Sequence, residues 1–143
     1  MQAILQQTIT VESAILWKEK LLSNIKYDFK TLQPSMLEKD MAVVYVIFNK
    51  STNEALYVGR TKKLRRRLYT NHLQGNKSTA RLKKYLVEDN VNLPEIDDYE
   101  KAKTWIKDNC YFQFVEVQES RERGHVEGLL GFLFNSRYIE EEH

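Results

Sequence analysis

The sequence predicts an α+β fold: a small three-stranded antiparallel sheet flanked by helices, with an additional helix at the N-terminus. Three observations carry this expectation. Val43-Val44-Tyr45-Val46-Ile47-Phe48-Asn49 and Leu56-Tyr57-Val58-Gly59-Arg60 are β-rich runs separated only by Lys50 to Ala55, which reads as an antiparallel hairpin. Cys110 to Val117 is a third run of the same kind, with Phe112 and Phe114 on one side and Val115 and Val117 on the other, as in a central strand. Elsewhere, apolar residues recur at helical spacing. At 143 residues the chain is long enough to bury a real core and is most simply one compact unit. Within it, 1–40 reads as a helical extension and 41–143 as the domain proper.

In chain order, a helix is expected from about Val11 to Thr31. Ala14, Trp17 and Leu21 share one stripe, Ile15, Leu22 and Ile25 lie beside it, and Thr10 is its N-cap. This helix packs on the domain as an extension or serves as an arm for a second copy or a partner protein. Pro34 and its polar neighbours mark the boundary before the hairpin. After the hairpin, Lys62 to Leu73 reads as a basic helix with Leu64 and Leu68 four apart. A turn at Gln74 to Lys77 leads to a helix capped by Ser78, with Leu82, Tyr85 and Leu86 on its apolar face and Arg81, Lys83 and Lys84 elsewhere. Past Pro94, Asp97 and Glu100 have capping-box spacing at the start of a helix whose buried stripe is Tyr99, Ala102 and Ile106. The last helix, Ser120 to Phe134, is expected to be capped by Ser120 and carries Val126, Leu129, Leu130, Leu133 and Phe134.

Charge narrows the function. The net charge of +2 is too small to imply a nucleic-acid partner by itself. Its distribution says more: from Arg60 to Arg67 there are six Lys or Arg and no acid, a local patch able to meet phosphate. Cys110 is the only cysteine, so one chain holds neither a disulfide nor a cysteine-built metal site. No apolar run approaches the ~20 residues of a membrane span, and the N-terminus lacks the basic start of a signal peptide. A soluble, cytoplasmic protein without a membrane partner is the expectation.

The two motifs Val43-Val44-Tyr45 and Tyr57-Val58-Gly59, with Arg67 eight positions after Gly59 and Glu127 on the last helix, resemble the GIY-YIG nuclease family. The likeness runs from about Val43 to Tyr138. It implies a metal-dependent endonuclease that hydrolyses DNA phosphodiester bonds. Tyr45 and Tyr57 would then be the catalytic hydroxyls, one a general base and the other orienting water or phosphate. Arg67 would clamp the phosphate, and Glu127 would hold Mg²⁺, or Mn²⁺ in its place.

Residue chemistry supports each role. A tyrosine has an unperturbed pKa near ~10 and acts as a base only where cations favour the phenolate; the basic residues after Gly59 are the candidates for that bias. A guanidinium donates two parallel hydrogen bonds to a phosphate. Mg²⁺ commonly takes one or two carboxylates plus water. Glu127 shares a stripe with Leu130 and Phe134, which turns it partly inward. Glu122 is the alternative carboxylate, although an acid in a first helical turn has an ordinary explanation. Arg60, Lys63 and Arg67 are expected on one helix face as an electropositive strip. Arg60, Lys62, Lys63, Arg66, His72 and Arg81 are the expected nucleic-acid contacts, and Arg65 faces backbone phosphate or water. Gly124, Gly128 and Gly131 form a side-chain-free stripe on the last helix, where the hairpin or the second helix is expected to approach closely.

Three positions depart from the family pattern. Val43 stands where the family has glycine. Asn71 stands where many members have histidine, with Tyr69 and His72 as substitutes in reach. Ile139 stands where members often have asparagine, and Asn135 is the nearest one. These departures define the alternative readings: a nucleic-acid-binding module that has lost cleavage, or a protein-interaction module on the same fold. DNA is the expected substrate, with RNA and branched DNA as further candidates.

Overall fold

The computed structural model describes residues 2–74 and 81–139, with side chains for 11–70 and 81–139. Four strands rather than three form the antiparallel sheet: β1 (Tyr27–Asp28), β2 (Val43–Asn49), β3 (Ala55–Thr61) and β4 (Cys110–Glu116), in the order β1-β4-β2-β3. Alternation within β2 and β4, the two inner strands, sends apolar side chains to both faces. On one face Tyr45, Ile47, Tyr57 and Phe112 pack with Leu64 and Leu68, with Leu82 and Leu86 of α2 (Arg81–Glu88), and with Ala102 and Ile106 of α3 (Tyr99–Asn109). On the other face Val44, Val46, Val115 and Val117 meet Leu21 of α1 (Gln2–Leu22) and Val126 and Leu130 of α4 (Ser120–Phe134). The result is three layers, with helices covering both faces of the sheet. No helix among the described residues is long and apolar enough to cross a membrane.

The additional strand corrects the expected helix as well as the expected sheet. A helix reaching Thr31 was predicted, but α1 ends at Leu22 and Thr10 lies inside it rather than capping it. The stop is set from far along the chain. Gln113, fully buried in β4, donates from Nε2 to Leu22 O (3.0 Å) and Asn24 O (2.8 Å), and Asn24 Nδ2 donates to Phe114 O. Tyr27 then pairs with Phe112 in the ladder, and its ring stacks on Phe112 at 5.3 Å and Phe114 at 5.7 Å. Those aromatic contacts hold as a strand a segment whose local pattern reads as helix.

Smaller corrections concern helix ends and winding. Glu119, not Ser120, caps α4: its carboxylate accepts from the N–H groups of Arg121 and Glu122. Asp98, not Asp97, caps α3, accepting from Lys101 N at 2.8 Å, while Asp97 pairs with the Lys101 ammonium. The basic helix begins at Leu64 and winds as a π-helix over Arg66–Gln74, where an α-helix was expected. Lys83 is buried rather than outward, with Lys103 and Glu100 near its ammonium. The turn expected around Gly75 to Lys77 and the Ser78 cap lie outside the described residues. At the end of α4, Asn135 adopts the left-handed conformation (φ 49°), and Ser136 N reaches back to Gly131 O, which closes the helix. The chain then runs along the outer edge of β3, with Arg137 N donating to Ala55 O and Tyr138 N to Leu56 O.

Candidate active site on the edge strand

The site is built at β3, one of the two edge strands of the sheet. In the β2–β3 ladder Tyr45 stands opposite Gly59, and Tyr57 stands opposite Ile47. The two tyrosines are therefore diagonal neighbours on one face, with ring centroids 6.2 Å apart. Gly59 is what lets Tyr45 lie there. A Cβ at position 59 would land on the Tyr45 hydroxyl and come within 2.9 Å of Tyr57 Cε2. Val43 is fully buried in the same cluster as Tyr45, so the side chain that replaces the family glycine is absorbed by the core.

Arg67 projects from the basic helix onto this pair, and its guanidinium donates a hydrogen bond to the Tyr45 phenol. Tyr45 is fully buried, whereas Tyr57 keeps a small exposed edge of 8%. Burial raises both phenols above the usual tyrosine range. For Tyr45, Tyr57 adds to the rise and Arg67 opposes it. For Tyr57, Arg81 and Arg67 oppose it, while Glu127 and Tyr85 add to it. The expected cationic bias toward phenolate is present at both tyrosines, but desolvation outweighs it.

Glu127 comes from α4 on the opposite face, beside the edge of β3. Its carboxylate is a third exposed and pairs loosely with Arg60, Nε to Oε1 3.7 Å. Burial raises its pKa above the usual carboxylate range, and Arg60, Arg81 and Arg67 pull it back. Glu127 thus interacts electrostatically with both tyrosines and with three arginines, and β2, β3, the basic helix, α2 and α4 all contribute to one locus. Glu122 is exposed in the first turn of α4, where its N–H is held by Glu119.

The structure regroups the basic residues. Arg60 lies on β3, not on the helix, and Lys63 pairs with Asp40 at 2.8 Å, so the strip expected from Arg60, Lys63 and Arg67 does not form. Arg65, expected toward phosphate or water, donates from Nε and Nη2 to Leu37 O. It ties the basic helix to the segment before the sheet. Lys62 and Arg66 are exposed. The side chains of Asn71 and His72 lie outside the described residues, and π-winding changes the angular spacing on which their comparison rested. Asn135 is taken by the C-cap of α4, and Ile139 is exposed.

The glycine stripe behaves differently from expectation. Only Gly124 is approached closely, by the Arg60 guanidinium; a Cβ at Gly128 or Gly131 would meet nothing within 4 Å. What the sequence reading missed is the aromatic chain behind Tyr57. Tyr85 of α2 lies 6.2 Å from Tyr57, and Tyr138 stacks on Tyr85 at 5.8 Å while its hydroxyl donates to Asp89 Oδ2 at 2.6 Å. The spacing of Arg81 and Tyr85, four apart on α2, was the available signal.

The donor set fits a hard divalent cation. No group of three His, Cys, Asp or Glu side chains forms among the described residues, so the candidate site rests on the single carboxylate of Glu127. Its arginine partner is at the long end of ion-pairing distance, which leaves lone pairs for a cation, and water can complete an oxygen shell of the kind Mg²⁺ prefers. A cleft of about 460 Å³ on α3 includes Glu95, Asp98, Lys101 and Trp105 in its lining, and none of the site residues borders it.

Comparison with known proteins points to one family. The profile of the GIY-YIG catalytic domain matches residues 41–119, more than half of the chain and the whole span from β2 to the cap of α4. No curated protein and no solved structure matches the chain. With both tyrosine motifs paired across one ladder and the catalytic-domain match spanning them, the chain belongs to the GIY-YIG family, whose domains are nuclease-type.

Proposed function

We propose that this site hydrolyses DNA phosphodiester bonds in a Mg²⁺-dependent, water-mediated displacement. The observation that carries the reading is the convergence of Tyr45, Tyr57, Arg67 and Glu127 on one edge of the sheet. Glu127 would hold the cation, which when bound neutralises charge on the phosphate. Arg67, fixed by its hydrogen bond to Tyr45, donates to a phosphoryl oxygen and stabilises the negative charge on the phosphoryl oxygens in the transition state. Tyr57 is the better base of the two tyrosines, because it alone keeps an exposed edge and feels two arginines. As the phenolate it would take the proton of the attacking water while the new P–O bond forms; the P–O bond to the leaving oxygen breaks, and solvent water protonates that oxygen. Tyr45 positions Arg67. Arg60, Lys62, Arg66 and Arg81 meet the DNA backbone. In this proposal 41–143 is the nuclease domain, 1–40 is an extension that supplies α1 and the edge strand β1, and the protein acts in the cytoplasm.

A second reading, a DNA-binding module without cleavage, is favoured by the protonated state in which burial holds both phenols. Single-turnover cleavage of duplex DNA in Mg²⁺ separates the two. Tyr57→Phe is expected to lose about 10²- to 10⁴-fold in rate, the usual contribution of a general base, with DNA affinity and its salt dependence kept. A rate unchanged in Tyr57→Phe removes Tyr57 as the base. Salt-sensitive binding without cleavage by the intact chain selects the second reading.

A further inference from the structure

The Arg60–Glu127 pair stands out because a third residue makes room for it. Arg60 points off β3 onto α4, where its Nη1 occupies the space that a Cβ at Gly124 would need. One helical turn further on, its Nε faces Glu127 Oε1 at 3.7 Å. Gly128 and Gly131, on the same helix, have open space above them, so the close approach is specific to Gly124. A guanidinium thus rests on a bare stretch of helix backbone with its charge against the candidate cation ligand.

We propose that Arg60 is a resident cation that occupies Glu127 until a divalent metal ion displaces it, and that Gly124 is the seat holding the guanidinium within reach. The proposal rests on the reading of Glu127 as the cation ligand. Two positive charges cannot share one carboxylate cheaply, so metal entry and the Arg60 contact oppose each other. The exchange is feasible because the pair is weak: Arg60 is half exposed, Glu127 is a third exposed, and such pairs are easily broken. A displaced Arg60 remains beside the site as a free guanidinium, the group best suited to a phosphate oxygen. Metal binding would then release the very residue that meets the substrate.

The test is Mn²⁺ affinity of the full chain at neutral pH and low salt, read from the electron paramagnetic resonance signal of free Mn²⁺ and needing no turnover. Arg60→Met should bind Mn²⁺ about two- to fivefold more tightly than the intact chain, the range expected on removing a partly exposed ionic competitor. Gly124→Ala should shift affinity in the same direction, because the end of a flexible side chain yields to the new Cβ and leaves its seat. Gly124→Ala should add nothing in the Arg60→Met background, and Gly128→Ala should bind as the intact chain does. Unchanged or weaker Mn²⁺ binding in Arg60→Met overturns the latch. If Glu127→Ala abolishes Mn²⁺ binding in that case, the metal ligand stands and only the latch falls. If Glu127→Ala binds Mn²⁺ like the intact chain, or if neither the intact chain nor Arg60→Met binds it, both ideas fall together.

Discussion

Opposite Tyr45 there is no room for a side chain, and this gives Gly59 a clear steric role. In Gly59→Ala the added methyl meets the Tyr45 ring and hydroxyl, which are buried and cannot swing aside. Overpacking of this kind costs about 1–3 kcal/mol, and the expected result is a lower Tm together with at least a tenfold loss of cleavage as Tyr45 releases Arg67. Glu127 supports a prediction of opposite sign for stability. Its pKa is raised in the fold above 4.5 by burial. The folded state therefore binds its proton more tightly than the unfolded state, and the ionised carboxylate destabilises the fold as pH rises through that window. Glu127→Gln should raise Tm at neutral pH, with the advantage vanishing below about pH 4, where glutamate is protonated in both states. A Tm unchanged or lowered by the substitution at neutral pH would show that the carboxylate is not an unfavourable buried group. Tyr45, Tyr57 and Arg67 stood out in the sequence through the resemblance of the two tyrosine motifs and of the arginine eight positions after Gly59 to a known family, and the fold brings the three side chains together. Tyr85 and Tyr138 were harder to read, because the spacing of Arg81 and Tyr85 on α2 is only a local signal and nothing local ties Tyr85 to Tyr57 on one side or to Tyr138 on the other.

Among the elements, α4 mixes two kinds of glycine. Gly124 accommodates Arg60, whereas Gly128 sits over open space and gains nothing from lacking a side chain. Replacing a helix-interior glycine by alanine is worth about 1 kcal/mol. Gly128→Ala should therefore raise Tm by a few degrees, roughly 3–5 °C at this chain length, with cleavage unchanged; a decrease would mean that something packs on that surface in solution. The boundaries of β2, β3, β4 and α4 were readable because each is framed by its own pattern of apolar residues and turn formers. The end of α1 was not. It is dictated by the amide of Gln113, roughly ninety positions later in the chain, and no local pattern encodes a partner at that distance. The short β1 is the same case, a strand by virtue of Phe112 and Phe114 rather than of its own residues. The π-winding of Arg66–Gln74 was likewise invisible to a reading that assumed α-helical spacing.

Across the whole molecule, the layering explains why the chemistry lies at an edge. Both faces of the sheet are covered by helices, so β3 is the strand beside which groups from the two faces can converge: the tyrosines and Arg67 from one side, Glu127 and Arg60 from the other. The C-terminal segment closes the beginning of that edge at Ala55 and Leu56, bounding the site toward Arg137 and Tyr138. This arrangement predicts one catalytic locus, dependent on a cation at α4 and on the tyrosine face together. The most direct test is nicking of supercoiled plasmid by the full chain in Mg²⁺, Mn²⁺ or EDTA, alongside Glu127→Ala. Cleavage is expected with either metal ion, none in EDTA, and none with Glu127→Ala at any metal concentration. Cleavage that persists in EDTA, or that survives in Glu127→Ala, would contradict that expectation.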